Sequence, residues 1–479
     1  MDALEKSTMA KVTRRVLPFL IVCYLVCYLD RVNVSFAALQ MNKDLGFTAA
    51  VYGFGAGIFF VPYFLLETPS NLLLVRFGAR RWIARIMFTW GLLSGLTAFI
   101  WNDTSFYAIR FLLGAAEAGF FPGILFYLTL FFPAAYRARM VGLYMAAIPL
   151  SAVIGAPLSS FLLYLDGGLG LKGWQWIFIA EAIPTLLLSV VVLRRLTDDP
   201  KDASWLAPEE RSWLIDTLGA ERRQRLARHD LSVRQVLLNP RVLLFGVAGF
   251  AIAHSISGIS FFLPQIVKAF GLTNMQTGLV TAIPFAIGAA GMILYGRRSD
   301  RVRERRSHCG IALLCTAIGL VGAAMLDDPY LRLAALCFAS FGAFAVLPVF
   351  WAMPTAFLSG AAAAAGVAYI NSIANVASFV GPFVTGWIKD ATGSFSGGLL
   401  VIATTQIIGA IAILCIEHDA SLENAPQGLA RRVTTTKADR PPTERLCACL
   451  PGCLPLMLRR ELRVIRISEA VRIWVARRA

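Results

Sequence analysis

Charged residues are scarce in this sequence. Asp, Glu, Lys and Arg make up 15% of the 479 residues, whereas hydrophobic residues make up 57%, and the mean hydropathy is +0.65. So small a polar fraction does not cover the surface of a soluble particle of this length, which excludes a soluble globular protein. The composition predicts an integral membrane protein.

Histidine and phosphate-binding motifs are scarce as well. The four histidines are scattered, no HExxH sequence occurs, and no Gly-x-x-x-x-Gly-Lys-Ser/Thr loop is present. A zinc hydrolase and ATP-driven transport are therefore disfavoured. The GxGxxG pattern at residues 168–173 follows no predicted strand, so we interpret it as a chance match. We predict that the protein is not an enzyme and uses no metal ion or cofactor.

The hydrophobic residues are gathered into twelve runs long enough to cross a bilayer as helices. These runs lie near residues 16–38, 51–75, 82–101, 104–132, 139–163, 174–193, 242–267, 276–296, 309–326, 331–357, 362–388 and 396–416. A charged stretch divides them into two sets of six. We therefore predict an all-α membrane protein with two six-helix bundles at residues 1–195 and 241–420, a cytoplasmic linker at 196–240 and a basic cytoplasmic tail at 421–479.

Basic residues concentrate on one side of the predicted spans. They lie mainly in the N-terminal arm and in the loops after the second, fourth, sixth and eighth runs, whereas the alternate loops hold Lys43, Lys172, Lys268, Arg332 and Lys389. The positive-inside rule then places both termini in the cytoplasm. The net charge of +16 follows from these loops and the tail, and we expect no nucleic-acid partner.

The tail ends in LRRELRVIRISEAVRIWVARRA at residues 458–479. Its apolar residues recur at helical spacing, which predicts an amphipathic helix on the anionic inner leaflet. The alternative is a disordered extension without a function.

Four ionisable residues lie inside predicted spans. Asp30 and Arg31 are adjacent in the first span, and Arg110 and Glu117 lie seven residues apart on one face of the fourth. A charge at bilayer depth costs about 2.5–3.5 kcal/mol, so such residues need a partner or a function. From the rise of about 1.5 Å per residue, Asp30 and Arg110 lie at similar depth, and we predict that they pair in at least one conformation. The alternative is that a buried ion pair only fixes helix register.

Guanidinium and carboxylate groups together suit proton-coupled anion uptake. An Arg binds both oxygens of a substrate carboxylate, and the bound anion withdraws positive charge from a neighbouring Asp or Glu, which favours protonation. Glu67 and Glu181 lie nearer the span ends, and we interpret them as structural. His254 in the seventh span faces either the cavity or a polar patch, and both alternatives stay open.

Several segments resemble the major facilitator superfamily and, within it, the anion:cation symporter family of bacterial tartrate, phthalate and sugar-acid permeases. The resemblance covers roughly residues 10–420. It is carried by YLDRVNVSFA at 28–37, ETPSNLLLVRFGARRWIARI at 67–86, RFLLGAAEAGFFPG at 110–123, GWQWIF at 173–178, FFLPQIVKAFGLTNMQTGLVTAIPF at 261–285 and YINSIANVASFVGPFVTGWIKDATGSF at 369–395.

The resemblance implies roles for individual residues. It assigns proton coupling to Asp30 and Glu117. It assigns substrate contact to Arg31 and Arg110, with Tyr28, Tyr63, Trp351 and Asn371 at the cavity.

The resemblance also implies two gating loops, one after the second span of each half. The first keeps Arg76, Gly78, Arg80 and Arg81 of the superfamily pattern, and the second keeps Gly296, Asp300 and Arg301. The first loop departs from the pattern at Asn71 and at Val75, where an Asp is usual. This departure puts the usual ionic latch of that loop in doubt.

These observations predict a monomeric transporter of the bacterial inner membrane that imports a small organic carboxylate together with protons. The seventh and tenth spans carry no Asp, Glu, Lys or Arg, so we expect the C-terminal half to contact the organic body of the substrate. Pro348 and Phe350 favour a less hydroxylated or partly apolar acid. The alternatives are an exporter or exchanger of organic anions or drugs, and a membrane-embedded sensor.

Overall fold

The computed structural model describes residues 3–226, 238–302, 304–357 and 360–416. Their regular elements are helices, and twelve of these are long and apolar enough to span a membrane. The predicted all-α fold with twelve spans is confirmed, while the predicted tail lies outside the described residues. The spanning helices are α1 (Ala3–Leu45), α2 (Ala49–Phe77), α3 (Ala79–Phe99), α4 (Asp103–Phe131), α5 (Ala134–Leu165), α6 (Gly173–Arg195), α8 (Pro240–Lys268), α9 (Asn274–Val302), α10 (Arg306–Met325), α11 (Pro329–Phe357), α12 (Gly360–Thr392) and α13 (Ser396–Leu414).

Helix α1 begins well before the first hydrophobic run. Thr8, Val12 and Val16 are buried at four-residue spacing, so the polar N-terminal arm has one inward face. The linker helix α7 (Pro208–Leu226) packs against this arm. Burial of the arm beside α7 explains why the helix extends beyond the apolar run.

Polar contacts fix α7 to the N-terminal half. The carboxylate of Glu210 accepts hydrogen bonds from Ser7 Oγ at 2.8 Å and Lys11 Nζ at 3.0 Å, both on α1. Farther along α7, Glu221 accepts from the Ala134 N–H at 2.8 Å and forms an ion pair with Arg137. The linker helix therefore braces the start of α1 against the start of α5.

Helices α2 and α4 are interrupted near mid-depth. Helix α2 consists of the segments Ala49–Ile58 and Phe60–Phe77, with Phe59 between them. Helix α4 breaks after Glu117, where Gly119 adopts a φ of 87° that favours glycine. A Cβ atom on Gly119 would also lie 2.3 Å from Ser70 Oγ. Both interruptions lie next to the ionisable residues of the site.

The twelve spans form two six-helix bundles. Helices α1 and α6 pack together in the N-terminal half, as do α8 and α12 in the C-terminal half. The halves meet mainly through α2 with α12, α5 with α9, and α1 with α8. This arrangement leaves a space between the bundles.

Contacts between the halves are closest at the face opposite the basic loops. A Cβ atom on Gly53 of α2 would lie 2.2 Å from Pro382 O of α12, and one on Gly278 of α9 would lie 2.5 Å from Ala156 O of α5. Asp390 accepts hydrogen bonds from the N–H groups of Ala49 and Ala50 at the start of α2, at 2.9 and 2.7 Å. The protein is closed on this face.

Candidate functional site

A cavity of about 150 Å³ lies between the two bundles. Helices α1, α2, α4 and α5 line one side of it, and α8, α11 and α12 line the other. Five of the predicted substrate residues line this cavity, namely Tyr28, Arg31, Tyr63, Trp351 and Asn371. The structure therefore brings together most of the predicted substrate site.

An ion pair between Arg31 of α1 and Glu117 of α4 lies at the N-terminal wall of the cavity. The two side chains are 12% and 3% exposed. The thiol of Cys27 donates to the same carboxylate at 3.3 Å. In so buried a place each charge needs the other, because an isolated ion inside a bilayer-spanning bundle is costly.

Aromatic rings surround the guanidinium of Arg31. Its Cζ lies 4.8 Å from the ring centre of Tyr28 and 5.2 Å from those of Phe59 and Tyr63. These distances permit cation–π attraction. The rings hold the cation in place without using its hydrogen-bond donors.

Two buried donors at the cavity have no hydrogen-bond partner. One is Nε of Arg31 and the other is Nδ2 of Asn375 on α12, and both residues line the cavity. Sequence reasoning missed Asn375, although its four-residue spacing from Asn371 places both amides on one helical face. Unpaired buried donors on opposite halves suit a ligand that accepts hydrogen bonds, such as a carboxylate.

Asp30 lies behind the cavity, at the interface of α1 with α3 and α6. Its carboxylate accepts hydrogen bonds from Trp90 Nε1 at 2.8 Å, Ser94 Oγ at 3.2 Å and Thr185 Oγ1 at 2.7 Å. In this conformation it does not pair with Arg110, so the predicted pair is absent here. The neighbours Asp30 and Arg31 point in directions about 100° apart on the helix, and Arg31 is the one that faces α4.

Arg110 lies at the interruption of α2. Its guanidinium donates to the carbonyl oxygens of Gly55 and Ala56, each at 3.3 Å, and lies 5.0 Å from the ring centre of Phe59. The side chain is almost fully buried. In this conformation Arg110 donates to backbone carbonyl groups beside an irregular turn. Such groups need a donor from the protein, because the membrane interior supplies no water.

Glu67 connects the two halves, which sequence reasoning did not predict. Its two carboxylate oxygens accept hydrogen bonds from Nδ2 of Asn371, at 3.2 and 3.0 Å. Glu67 is on α2 and Asn371 is on α12. The position of Glu67 near a span end predicts a structural role, and the structure places it beside the cavity residue Asn371.

His254 contacts a neighbouring helix of its own bundle. Its Nδ1 lies 3.0 Å from Thr405 Oγ1 of α13, and a Cβ atom on Gly381 would lie 2.5 Å from its ring. Of the two alternatives left by the sequence, this geometry matches a polar patch between α8, α12 and α13.

Comparison with known proteins decides the family. The family model of the Major Facilitator Superfamily matches residues 20–382 and 255–464. The chain belongs to this superfamily. It is therefore a multi-pass membrane transporter and not an enzyme.

Two proteins that are similar to this chain have names that indicate a substrate. A protein of Agrobacterium vitis named "Putative tartrate transporter" is 50% identical over 418 residues, which cover 87% of this chain and 93% of the relative. A protein of Acinetobacter baumannii named "Quinolone resistance transporter" is 39% identical and covers 85% of this chain and 94% of the relative. The first relative is consistent with the resemblance to anion:cation symporters.

A solved structure supports the fold alone. The crystal structure of a bacterial homologue of the human lysosomal transporter Spinster aligns with a TM-score of 0.65, at 16% identity, over 84% of this chain and 95% of that chain. The major facilitator arrangement of two six-helix bundles is thereby confirmed.

The first predicted gating loop uses an aspartate from another part of the chain. Val75 is exposed, and Asp198, just after α6, accepts from the Arg80 N–H at 2.7 Å and forms an ion pair with the Arg80 side chain. Gly78 adopts a φ of 87° beside this carboxylate. Asp198 therefore provides the carboxylate that the loop sequence itself lacks.

The other predicted loop residues are less tightly held. Arg76 and Arg81 are exposed. In the second loop, Asp300 forms an ion pair with Arg305 at 3.5 Å, whereas Arg301 is exposed. Gly296 packs against α11, because a Cβ atom on it would lie 3.2 Å from Pro348 Cγ.

Proposed function

We propose that this transporter imports a small organic carboxylate together with protons, by alternating access. The observation that carries the proposal is the cavity wall formed by Arg31 and Asn375, whose buried donors lack partners on opposite halves. A carboxylate between them would accept hydrogen bonds from both bundles. Binding would then pull the bundles together around the substrate, as alternating access requires.

Coupling follows from the ion pair of Arg31 with Glu117. A substrate carboxylate that engages the guanidinium competes with Glu117 for its positive charge. Once that charge is shared, proton binding by Glu117 relieves the repulsion between two anions. Substrate and proton therefore bind together, and their charges cancel during transport.

The empty carrier returns by the reverse exchange. After substrate and proton leave, Glu117 pairs again with Arg31, so neither ion crosses the membrane core alone. A carrier that returns in this neutralised form catalyses net accumulation rather than exchange alone.

The C-terminal wall indicates the rest of the substrate. Ile252, Ile256, Leu347, Phe350 and Trp351 line it with apolar surface. This surface would contact the carbon body of a small acid, while Asn371 and Asn375 contact polar groups. The name of the Agrobacterium vitis relative makes tartrate the first compound to test.

The basic loops support the orientation in the membrane that we propose. The positive-inside rule predicts that these loops lie on the cytoplasmic side of the inner membrane, with both termini on that side. The closed face is then external, and we propose that the conformation described here exchanges its substrate with the cytoplasm.

Export of organic anions or drugs is the second candidate function. It is supported by the relative from Acinetobacter baumannii that is named for quinolone resistance. A drug exporter would use the same apolar wall and would expel its substrate in exchange for protons.

Uptake by purified protein in liposomes tests the proposal. With an inward pH gradient, radiolabelled tartrate and related acids should accumulate, and a protonophore should abolish accumulation. Arg31→Lys should abolish it too, because an ammonium group lacks the two parallel donors of a guanidinium. Outward movement of a quinolone on the same gradient, without accumulation of any acid, would establish the second candidate instead.

A further inference from the structure

A second pair of buried polar residues lies next to Asp30, farther from the basic loops. Thr185 of α6 donates to Asp30 of α1. One turn along each helix, toward the face opposite the basic loops, lie Asn33 of α1 and Glu181 of α6, both buried. Because α1 and α6 pack together, Asn33 and Glu181 form the next polar level of this interface after the contact of Thr185 with Asp30. Neither Asn33 nor Glu181 lines the cavity.

The hydrogen bonds of the two carboxyl groups differ. Asp30 accepts three side-chain donors. Glu181 accepts one, from Ser159 Oγ at 2.6 Å, and its Oε2 has no partner. Both amide atoms of Asn33 also lack partners. Glu181 and Asn33 are each only 1% exposed.

Within the described residues, no cation lies within ion-pair distance of Glu181. Ser159 of α5 donates to it, α1 packs against α6 with Asp30 and Asn33 at neighbouring levels, and α3 packs the small Gly95 against Ala182. An ionised carboxylate with one donor and a like charge nearby is costly in such a place, whereas a protonated carboxyl is tolerated.

The Asn33 amide suits both forms of the neighbouring acid. Its oxygen can accept the proton of a carboxylic acid, and its NH₂ group can donate to a carboxylate. A side chain of this kind permits Glu181 to bind and release a proton without leaving a buried group unpaired.

We infer that Glu181 is a third proton-binding carboxyl, protonated in this conformation, which passes protons between the closed face and Asp30. This inference rests on the proposed proton coupling. The order of residues along α1 and α6 gives the direction, because Glu181 lies about one turn from the level of Asp30 toward the closed face. Thr185, which contacts Asp30, lies four residues from Glu181 on the same helical face.

Infrared spectroscopy and transport together test this inference. Reconstituted protein should show the carbonyl band of a buried protonated carboxyl group, and Glu181→Gln should remove that band. The same variant should exchange labelled tartrate for unlabelled tartrate as the original protein does, since exchange moves no net protons. Its accumulation of tartrate on a pH gradient should fall by about tenfold or more.

Two further variants keep the test decisive. Glu209→Gln makes the same change at an exposed position of α7 and should alter neither the band nor accumulation. Asn33→Leu should shift the band and lower accumulation, and it replaces Glu181→Gln if that variant does not fold. An unchanged band or undiminished accumulation in Glu181→Gln would overturn the inference. If the original protein accumulates no acid on a pH gradient, the proposed function fails, and the band alone still decides whether Glu181 is protonated.

Discussion

The amide of Asn371 on α12 donates to both carboxylate oxygens of Glu67 on α2, at 3.0 and 3.2 Å. This contact joins the two halves beside the cavity. A hydrogen bond to a charged group contributes about 1.5–3 kcal/mol. The contact therefore favours the conformation described here over one in which α2 and α12 separate.

Glu67→Ala should shift the protein away from this conformation. Electron-spin distance measurements between labels on α2 and α12 should show a larger population of the separated form. The neighbouring Ser372→Ala is the control, because its hydroxyl donates within its own helix, to Ala368 O. An identical distance distribution in Glu67→Ala and Ser372→Ala would show that the contact does not hold the halves together.

Arg110→Lys should lower stability more than Arg31→Lys does. Arg110 donates to two buried carbonyl groups, and each carbonyl left unsatisfied costs about 1–3 kcal/mol. The measurement is the melting temperature in detergent, together with tartrate binding. If Arg110→Lys keeps its melting temperature and loses only tartrate binding, then Arg110 contacts the substrate directly, as the family resemblance implies.

Gly53→Leu should prevent closure of the face opposite the basic loops. Even a Cβ atom at this position would lie 2.2 Å from the backbone oxygen of Pro382, which cannot move as a flexible side chain does. We expect transport to be lost while expression is kept, and cysteine labels near this face should react faster. Gly142→Ala, with nothing within 4 Å of its Cβ position, should transport normally. Normal transport by Gly53→Leu would mean that the halves meet differently.

Acid should loosen the linker helix from α1. The hydrogen bond from Lys11 is the main cause that holds the pKa of Glu210 below its usual range. A carboxyl group whose pKa is lowered by folding stabilises the native state above its unfolded pKa of about 4.3, and this stabilisation is lost as the pH falls through its folded pKa. Hydrogen exchange of α7 should therefore rise at low pH, and Glu210→Gln should exchange quickly at all pH values. Slow exchange of α7 in that variant at neutral pH would contradict this.

Hydropathy and charge predicted the spans because a bilayer imposes length and polarity on every helix that crosses it. The ion pair of Arg31 with Glu117 was not predicted as such, although both residues were. Depth along a helix follows from counting residues, but the direction of a side chain around the helix follows from packing. For this reason the expected pair of Asp30 with Arg110 is absent here, and Asp30 binds Trp90, Ser94 and Thr185 instead.

Contacts between segments that are distant in the chain also could not be predicted from the sequence. Asp198 contacts Arg80 from 118 residues away, and Asn371 contacts Glu67 from 304 residues away. Spacing within one helix gives no information about such partners. Spacing within one helix does place Asn371 and Asn375 on the same face, and this pattern predicts Asn375 as a site residue.

The most direct test of the account is tartrate transport by Glu117→Gln, measured both as exchange and as accumulation on a pH gradient. Gln cannot carry the proton, so the variant should exchange labelled for unlabelled tartrate yet fail to accumulate it. Accumulation equal to that of the original protein would contradict the coupling role of the Arg31–Glu117 pair.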